Sequence, residues 1–239
     1  MAYLKKRGDK WQYTISCTIE GKRKLIRKGG FLSKKEAKAE ATKHEAKVKK
    51  QNRKPNIATR KKLLNEEEYE KLYKELFNNL DKGLGYYILL LILTTGIRYS
   101  EAVALTSEDF DFNNNTINIY KSYHPDGTIF PIRSLSGNRI IKGDKIIMSR
   151  FKELFKTNKS NNKDLIFRYP KNKYKVINKQ AIDILLKKVL LNLDIEPVNV
   201  NDLRRTHASI LLTKGLSLKY ISERLGHSST ITTKNILHP

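Results

Sequence analysis

Three basic residues stand in sequence contexts that differ from those of the chain's many lysines. Arg98 follows the run "LLLILTTGI", Arg204 lies in "NDLRRTHASILL", and His227 follows "ISERLG". A guanidinium group holds an oxyanion through paired hydrogen bonds, and an imidazole can transfer a proton near neutral pH. Taken singly, an arginine at a helix end usually caps a carbonyl or pairs with a carboxylate. The three residues indicate a functional site only because all of them occur in one chain and in this order.

The apolar periodicity around these residues predicts the elements that must position them. Asn65, with Glu68 three residues later, predicts a capped helix start. Two segments, "NTINIYKSY" and "RIIKGDKIIM", read as strands around a loop rich in Pro, Gly and Ser. We therefore expect a mostly helical domain over residues 64–239 with a central β-hairpin. Its helices are predicted over "NEEEYEKLYKEL", Tyr86–Thr95, from near Ser100, and over Ser149–Phe155, Lys179–Leu193, Asp202–Lys214 and Leu218–Leu225.

Charge is concentrated at the N-terminus. The chain has 48 Lys and Arg against 24 Asp and Glu, a net charge of +24. Residues 1–62 hold 21 basic and 5 acidic residues, which is 21 − 5 = +16 of that total. Such an excess favours a polyanionic partner, with nucleic acid first and an anionic membrane second. No amphipathic basic helix with bulky aromatic residues supports a membrane surface.

The basic N-terminal residues predict a small α+β unit over residues 1–50. The stretch "WQYTISCTI" alternates apolar and polar residues, "EGK" is a turn signal, and "RKLIRKGGF" reads as the return strand. A capping box at Ser33 and Glu36 begins a helix over about 34–50. Residues 51–63 read as a linker, so the fold class is α+β overall. The residues predicted to contact DNA from the sheet are Lys22, Lys24, Arg27 and Lys28.

The remaining composition favours a cytoplasmic, nucleoid-associated protein. The single cysteine, Cys17, cannot form an internal disulfide. The first residues lack the apolar stretch of a signal peptide, and the longest apolar run, Tyr86–Leu93, is far shorter than a membrane span. The sequence predicts no metal and no cofactor.

The segments "TGIRYSEAVALTSEDFDF" and "DLRRTHASILLTKGLSLKYISERLGHSS", with the hairpin between them, resemble the catalytic domain of the tyrosine recombinase (phage integrase) family. The resemblance spans about 64–238, and the N-terminal unit resembles the family's arm-type DNA-binding domain. It implies that Arg98 and Arg204 hold the scissile phosphate and that His227 supports it. Glu101 matches an acidic position that orients Arg98. The implied partners are double-stranded DNA and other protomers, either of this chain or of related recombinases.

Two proton-transfer positions of the family hold other residues in this chain. Its second box usually begins with a histidine, where this sequence has Asn201. Its hairpin usually supplies a general-acid lysine six residues before an arginine. Counting back from Arg139 gives Arg133, a poor proton donor because its pKa is too high. Lys121 is a substitute if the hairpin register differs.

The family's nucleophilic tyrosine is the third departure. It follows the Leu-Gly-His histidine by nine or ten residues, which leads to Ile236 or Leu237. Neither side chain has a hydroxyl group. Tyr220, the last tyrosine, is expected on a core-facing stretch of helix. The resemblance therefore implies a chain that does not form a phosphotyrosine link by itself.

Domain organisation departs from the family too. The short linker leaves no room for the helical core-binding domain that usually precedes the catalytic domain. The chain also ends before the segment that usually reaches a neighbouring protomer, so we expect a truncated or degenerate member. The alternative is a non-catalytic regulator, because "SLKYISERLGHSSTITTKNI" resembles a helix-turn-helix.

Overall fold

The computed structural model of the 239-residue chain describes residues 3–19, 22–51, 63–157, 164–169 and 172–237. It divides into two compact units, residues 1–59 and 60–239, and each is described by itself. Most of the predicted linker, residues 52–62, lies outside the described residues. No described helix is both long and apolar enough to cross a membrane.

The first unit is a three-stranded antiparallel sheet with one helix. The strands β1 (Tyr3–Arg7), β2 (Lys10–Ile19) and β3 (Lys22–Phe31) lie in chain order, and α1 (Lys34–Gln51) follows. Tyr13 and Ile15 of β2 are buried with Ala41 of α1. The Tyr13 hydroxyl is 2.8 Å from Nδ1 of His44. These contacts place the helix against one face of the sheet.

The sequence did not predict β1. Its segment "YLKKR" is short and mostly charged, so it lacks the alternation that identifies a strand. Pairing with β2, from Tyr3 opposite Thr14 to Arg7 opposite Lys10, makes it an edge strand. Lysine-rich edge strands are common because charge discourages further strand pairing.

The second unit is mostly helical around one buried helix. In α3, six consecutive residues, Ile88–Leu93, are at most 1% exposed. A helix that is apolar on every side must lie in the core. The helical elements are α2 (Glu66–Asn78), α3 (Leu84–Thr95), α4 (Tyr99–Ala102), α5 (Lys145–Thr157), α6 (Lys179–Asn192), α7 (Val200–Thr213), α8 (Leu218–Leu225) and α9 (Thr230–Leu237). Of these, α2, α4, α6 and α7 pack against α3.

The described part of the second unit also contains short strands. They are β4 (Phe110–Asp111), β5 (Thr116–Ile119), β6 (Lys121–Tyr123), β7 (Ile129–Pro131), β8 (Arg139–Lys142), β9 (Arg168–Tyr169) and β10 (Asn172–Val176). Three small antiparallel sheets result, in the orders β4-β5-β8, β6-β7 and β9-β10. Of the hairpin β6-β7, β6 lies within the predicted strand "NTINIYKSY", whereas β7 forms where the sequence predicted a loop, and β9 and β10 were not predicted.

The predicted strand "RIIKGDKIIM" is wrong over its second half. The strand ends at Lys142 and α5 begins at Lys145, earlier than the predicted start at Ser149. Asp144 explains the change, because its Oδ1 accepts the backbone N–H of Ile146 at 2.8 Å. This side chain caps the helix start and so overrides the strand propensity of the isoleucines. Apart from α5, the predicted helices are confirmed to within about two residues at each end.

Gly96, which ends α3, leaves no space for a side chain. This residue has a left-handed φ of 70°, and an added Cβ would lie 2.7 Å from side-chain atoms of His207 and Leu225. Gly215 has a similar φ of 79° with nothing within 4 Å. We expect Gly96→Ala to lower the free energy of unfolding by about 3 kcal/mol, and Gly215→Ala by about 1 kcal/mol. Urea unfolding of both variants measures the difference, and equal losses would contradict this packing.

Candidate active site

Arg98 lies between the end of α3 and the start of α4. The left-handed turn at Gly96 stops α3, and Arg98 begins the next short helix. Its Nη1 donates to Oε1 of Glu101 at 2.7 Å, and its backbone N–H donates to Oε2 at 2.9 Å. The Arg98 side chain is 43% exposed and that of Glu101 only 2%. A buried carboxylate therefore orients an arginine that still reaches solvent.

Glu101 also binds Arg139, the first residue of β8. Nη2 of Arg139 donates to Oε2 at 2.8 Å, and its Nε donates to the Arg224 carbonyl at 2.7 Å. Burial raises the pKa of Glu101, but hydrogen bonding and the charges of Arg139 and Arg98 outweigh it, so the net pKa is lowered. One carboxylate thus connects the strand after the hairpin to Arg98. In the sequence Arg139 served only to locate Arg133, six residues earlier, and its contact with Glu101 was not predicted.

Arg204 and His227 are in direct contact. Arg204 lies on α7, and its Nη2 is 2.8 Å from Nε2 of His227. The same guanidinium donates to the carbonyls of Gly96 at 2.6 Å and Leu225 at 2.7 Å. It is 8% exposed, and burial followed by the charge of Arg98 lowers its pKa to about 9. Arg204 therefore remains protonated at neutral pH.

His227 follows the left-handed turn at Gly226 that ends α8. Its Nδ1 is 2.9 Å from the hydroxyl of Thr233 on α9. Burial, followed by the charge of Arg204, lowers its pKa to about 4. The imidazole is consequently neutral at physiological pH.

Two adjoining cavities share Arg98. One, of about 460 Å³, is lined by Arg98, Asn201 and Arg204, together with Lys179 and Arg205. The other, of about 580 Å³, is lined by residues that include Arg98, Glu101, Arg133 and Gly226. The structure thus places Arg98, Arg204 and the substituted Asn201 on one cavity and Arg98 with the substituted Arg133 on the other, while His227 lines neither cavity and contacts Arg204. This basic, concave surface can bind an oxyanion through several charged donors at once.

The hairpin turns Arg133 and not Lys121 toward these cavities. Nζ of Lys121 lies 2.7 Å from Oδ2 of Asp109 and donates to the Thr106 hydroxyl at 3.1 Å. The lysine side chain is 13% exposed, and Lys121 lines neither cavity. In the observed register Lys121 pairs with Pro131, two residues before Arg133. The substitution of Lys121 for the general-acid lysine is therefore not supported.

Neither cavity offers a free phenol at the expected position. Leu237 packs against the cluster of Ala208, Ile221 and Leu225, and the Ile236 side chain lies outside the described part. Among the described residues lining the cavities, the one tyrosine is Tyr99, whose hydroxyl donates to the Ile177 carbonyl.

The expectation that Tyr220 faces the core is wrong. Tyr220 is 43% exposed, while its neighbour Ile221 on α8 is fully buried. Successive residues of an α-helix point about 100° apart, so the apolar stripe of α8 passes beside Tyr220. It lines neither cavity.

The first unit presents a separate basic surface on the sheet face away from α1. Arg27 pairs with Thr14, whereas Lys28 pairs with the buried Tyr13, so these two neighbours lie on opposite faces. Lys22 and Lys24 share the strand parity of Lys28, and their side chains lie outside the described part. The pleat therefore separates Arg27 from Lys28, two of the residues predicted to contact DNA. Register instead groups Arg27 with residues on all three strands, namely Tyr3, Lys5, Arg7, Gln12, Thr14 and Leu25.

No group of three or more His, Cys, Asp or Glu side chains in the described ranges could hold a metal ion. The site's chemistry is carried by arginines, a neutral imidazole and one buried carboxylate. A helical unit with these groups beside a β-hairpin, after a basic sheet-and-helix unit, is the architecture of the tyrosine recombinase class.

Comparison with known proteins agrees with this architecture. Residues 62–239 match the Phage integrase family, and residues 1–51 match the Arm DNA-binding domain. This chain belongs to the phage integrase family. The helix-turn-helix alternative loses its basis, because the turn between α8 and α9 carries His227 to Arg204.

The chain is similar to several curated relatives. It is 33% identical over 174 residues to tyrosine recombinase XerD of Rickettsia prowazekii, covering 67% of this chain and 53% of the relative. It is 28% identical over 162 residues to a probable integrase/recombinase of Acholeplasma phage L2, covering 67% and 51%. The chain therefore spans about half the length of these relatives.

Solved structures show the same fold. The Tn1549 transposon integrase in complex with circular intermediate DNA matches with a TM-score of 0.62 at 18% identity, covering 75% of this chain and 63% of that one. XerA recombinase matches with a TM-score of 0.58 at 22% identity, covering 79% and 61%.

The lowered histidine pKa values predict acid sensitivity. His207 and His227 have pKa values lowered to about 3 and about 4, below the ordinary value of about 6.5. The unfolded chain therefore binds more protons below about pH 6.5, and stability present above that pH is lost as pH falls. We expect His227 to account for about 1–2 kcal/mol of unfolding free energy lost between about pH 7 and about pH 5.

Urea unfolding followed by circular dichroism at each pH measures this loss. His227→Gln should flatten the profile by that amount, while the same change at the exposed His124 should leave it unaltered. A profile of His227→Gln that matches the unmodified chain would contradict a buried neutral His227.

Proposed function

We propose that this chain binds duplex DNA and holds one backbone phosphate among Arg98, Arg204 and His227. The contact between Arg204 and His227, beside a cavity shared by Arg98 and Arg204, is the observation that carries this proposal. The DNA complexes among its structural neighbours support a nucleic-acid partner. Other protomers, of this chain or of related recombinases, are the proposed protein partners.

Each residue has a distinct proposed role at the phosphate. Arg98 provides an exposed guanidinium, and Glu101 orients it through a 2.7 Å hydrogen bond. Arg204 provides buried positive charge, whose attraction for an anion is stronger where water is excluded. Arg133, at the edge of the second cavity, adds charge near a bridging oxygen. These groups stabilise negative charge that develops on a phosphate.

Two positions where the family has proton-transfer groups hold other residues in this chain. Asn201 has no titratable proton, and an arginine is a poorer general acid than the lysine whose position Arg133 takes. Ile236 and Leu237 occupy the positions of the attacking tyrosine. We therefore propose a DNA-binding role in which this polypeptide alone neither cuts nor joins DNA.

The proposed organisation is an arm-type DNA-binding domain over 1–50, a linker over 51–63 and a recombinase-like domain over 64–239. Ten residues separate the two family matches, too few for a core-binding domain. A protein that binds chromosomal DNA in this way is expected in the cytoplasm, with the nucleoid.

Salt and two neighbouring substitutions test the proposed DNA-binding face. Affinity for a duplex should fall by a factor of about 1000 between roughly 50 and 200 mM salt, because phosphate contacts release counterions. Arg27→Ala should weaken binding by about 10-fold and reduce the slope against salt by about one contact. Lys28, which lies 3.6 Å from Glu40 of the helix, is the matched control.

Fluorescence anisotropy with a labelled duplex measures both effects. Lys28→Ala should change affinity by less than about 2-fold, because its face is turned toward α1. An equal loss in both variants would show that DNA does not bind the face opposite the helix.

Covalent trapping tests the proposed lack of cleavage. The purified chain is incubated with a library of nicked suicide duplexes of randomised sequence and resolved on a denaturing gel. We expect no protein–DNA adduct, because among the described residues lining the two cavities the one tyrosine, Tyr99, already donates its hydroxyl to the Ile177 carbonyl. Binding to the same duplexes at low salt serves as the positive control. A protease-sensitive covalent band would contradict the proposal, and Tyr220→Phe would then test that residue as the nucleophile.

A further inference from the structure

His227 is held between two hydrogen-bonding partners. A guanidinium group has only hydrogen-bond donors, so Nε2 of His227 must accept from Nη2 of Arg204 at 2.8 Å. Because the imidazole is neutral, its one proton lies on Nδ1. That N–H donates to Oγ1 of Thr233 at 2.9 Å. Arg204 thus selects the tautomer, and the Thr233 hydroxyl accepts the proton that this leaves on Nδ1.

Thr233 differs from its neighbours on α9. It is 0% exposed, while Thr232 and Lys234 beside it are exposed. A buried hydroxyl without a hydrogen bond costs free energy, and an apolar side chain of the same shape would fill this space equally well. A hydroxyl differs from such a side chain because it can either accept or donate.

We infer that Thr233 is a positioning residue that partners Nδ1 of His227 in both tautomers: its hydroxyl accepts from Nδ1–H in the free protein and donates to Nδ1 when an oxyanion occupies the site and the proton lies on Nε2. The second half of this inference rests on the proposed function. An anion beside Arg204 competes for the Nη2 hydrogens and leaves Nε2 of His227 without its donor. A proton on Nε2 then donates to the anion, and the Thr233 hydroxyl rotates to donate to Nδ1.

This change conserves protons and keeps the ring nitrogens hydrogen-bonded. One proton leaves Nδ1 for water while another reaches Nε2 from water, so the imidazole stays neutral. A valine at position 233 could partner neither tautomer. The Thr233 hydroxyl therefore keeps Nδ1 of His227 hydrogen-bonded both in the free site and in the site occupied by an anion.

Long-range proton–nitrogen correlation spectra of the ¹⁵N-histidine-labelled full chain test the free state. His227→Gln assigns the His227 signals among the five histidines. We expect the unmodified chain to show a protonated Nδ1 and an unprotonated Nε2. Thr233→Val should leave this tautomer in place, because Arg204 still donates to Nε2, but it should speed the exchange of the Nδ1 proton with water by about 5-fold, as expected for the loss of one neutral hydrogen bond.

Two substitutions separate the hydroxyl from general packing effects. Thr233→Ser keeps the hydroxyl and should retain the exchange rate of the unmodified chain. Thr232→Val removes an exposed hydroxyl one residue away and should also leave that rate unchanged. A free chain already in the Nε2–H form, or a Thr233→Val chain with an unaltered exchange rate, would overturn the assignment.

Sulfate, a tetrahedral dianion that does not titrate near neutral pH, tests the response to an anion. In the unmodified chain sulfate should raise the Nε2–H signal while it shifts the side-chain signals of Arg98 and Arg204. If the arginine signals shift and His227 stays in the Nδ1–H form, the tautomer change is refuted. If neither arginine responds, the proposed phosphate site itself fails, and the free-state spectra still decide the role of Thr233.

Discussion

The carboxyl end of α3 is the point on which the candidate site depends. The last turn of a helix leaves carbonyls without partners and carries partial negative charge, so cations are stabilised there. Here Arg204 donates to the Gly96 carbonyl at 2.6 Å, and Arg224 donates to the Thr94 carbonyl at 3.3 Å. The ring of His207 lies 3.1 Å from the Leu93 carbonyl. Side chains from α7 and α8 thereby attach the site to the buried core helix.

Satisfying these carbonyls also explains how positive charge is tolerated in a buried place. Arg204 is 8% exposed and close to other arginines, an arrangement that is costly without compensation. The carbonyls of Gly96 and Leu225 and the lone pair of His227 supply that compensation. Glu101 performs the same task for Arg98 and Arg139. The arginines thus present positive charge to solvent, while hydrogen-bond acceptors on their buried side compensate for it.

This chain has the residue types that the family uses to hold a phosphate, but other residues stand at the positions that transfer protons or attack phosphorus. Arg98, Glu101, Arg133 and Arg204 line the two cavities, and the neutral His227 contacts Arg204. The positions expected to transfer protons or attack phosphorus hold Asn201, Arg133 and an aliphatic side chain. Oxyanion binding requires only donors in place, whereas covalent chemistry also requires a nucleophile with a matched pKa. These two observations are the basis of the binding role that we propose.

Local signals in the sequence were enough to predict most helices, both basic units and the residues of the site. Apolar periodicity and capping act within a few residues, which is why the box at Asn65 and Glu68 was predicted correctly. Tertiary contacts decided what such signals cannot encode. Glu101 and Arg139 are 38 residues apart, and Arg204 lies 108 residues from the Gly96 carbonyl that it caps. Strand pairing set the faces of Arg27 and Lys28 and left Lys121 with Asp109, because register depends on the partner strand and not on the segment itself.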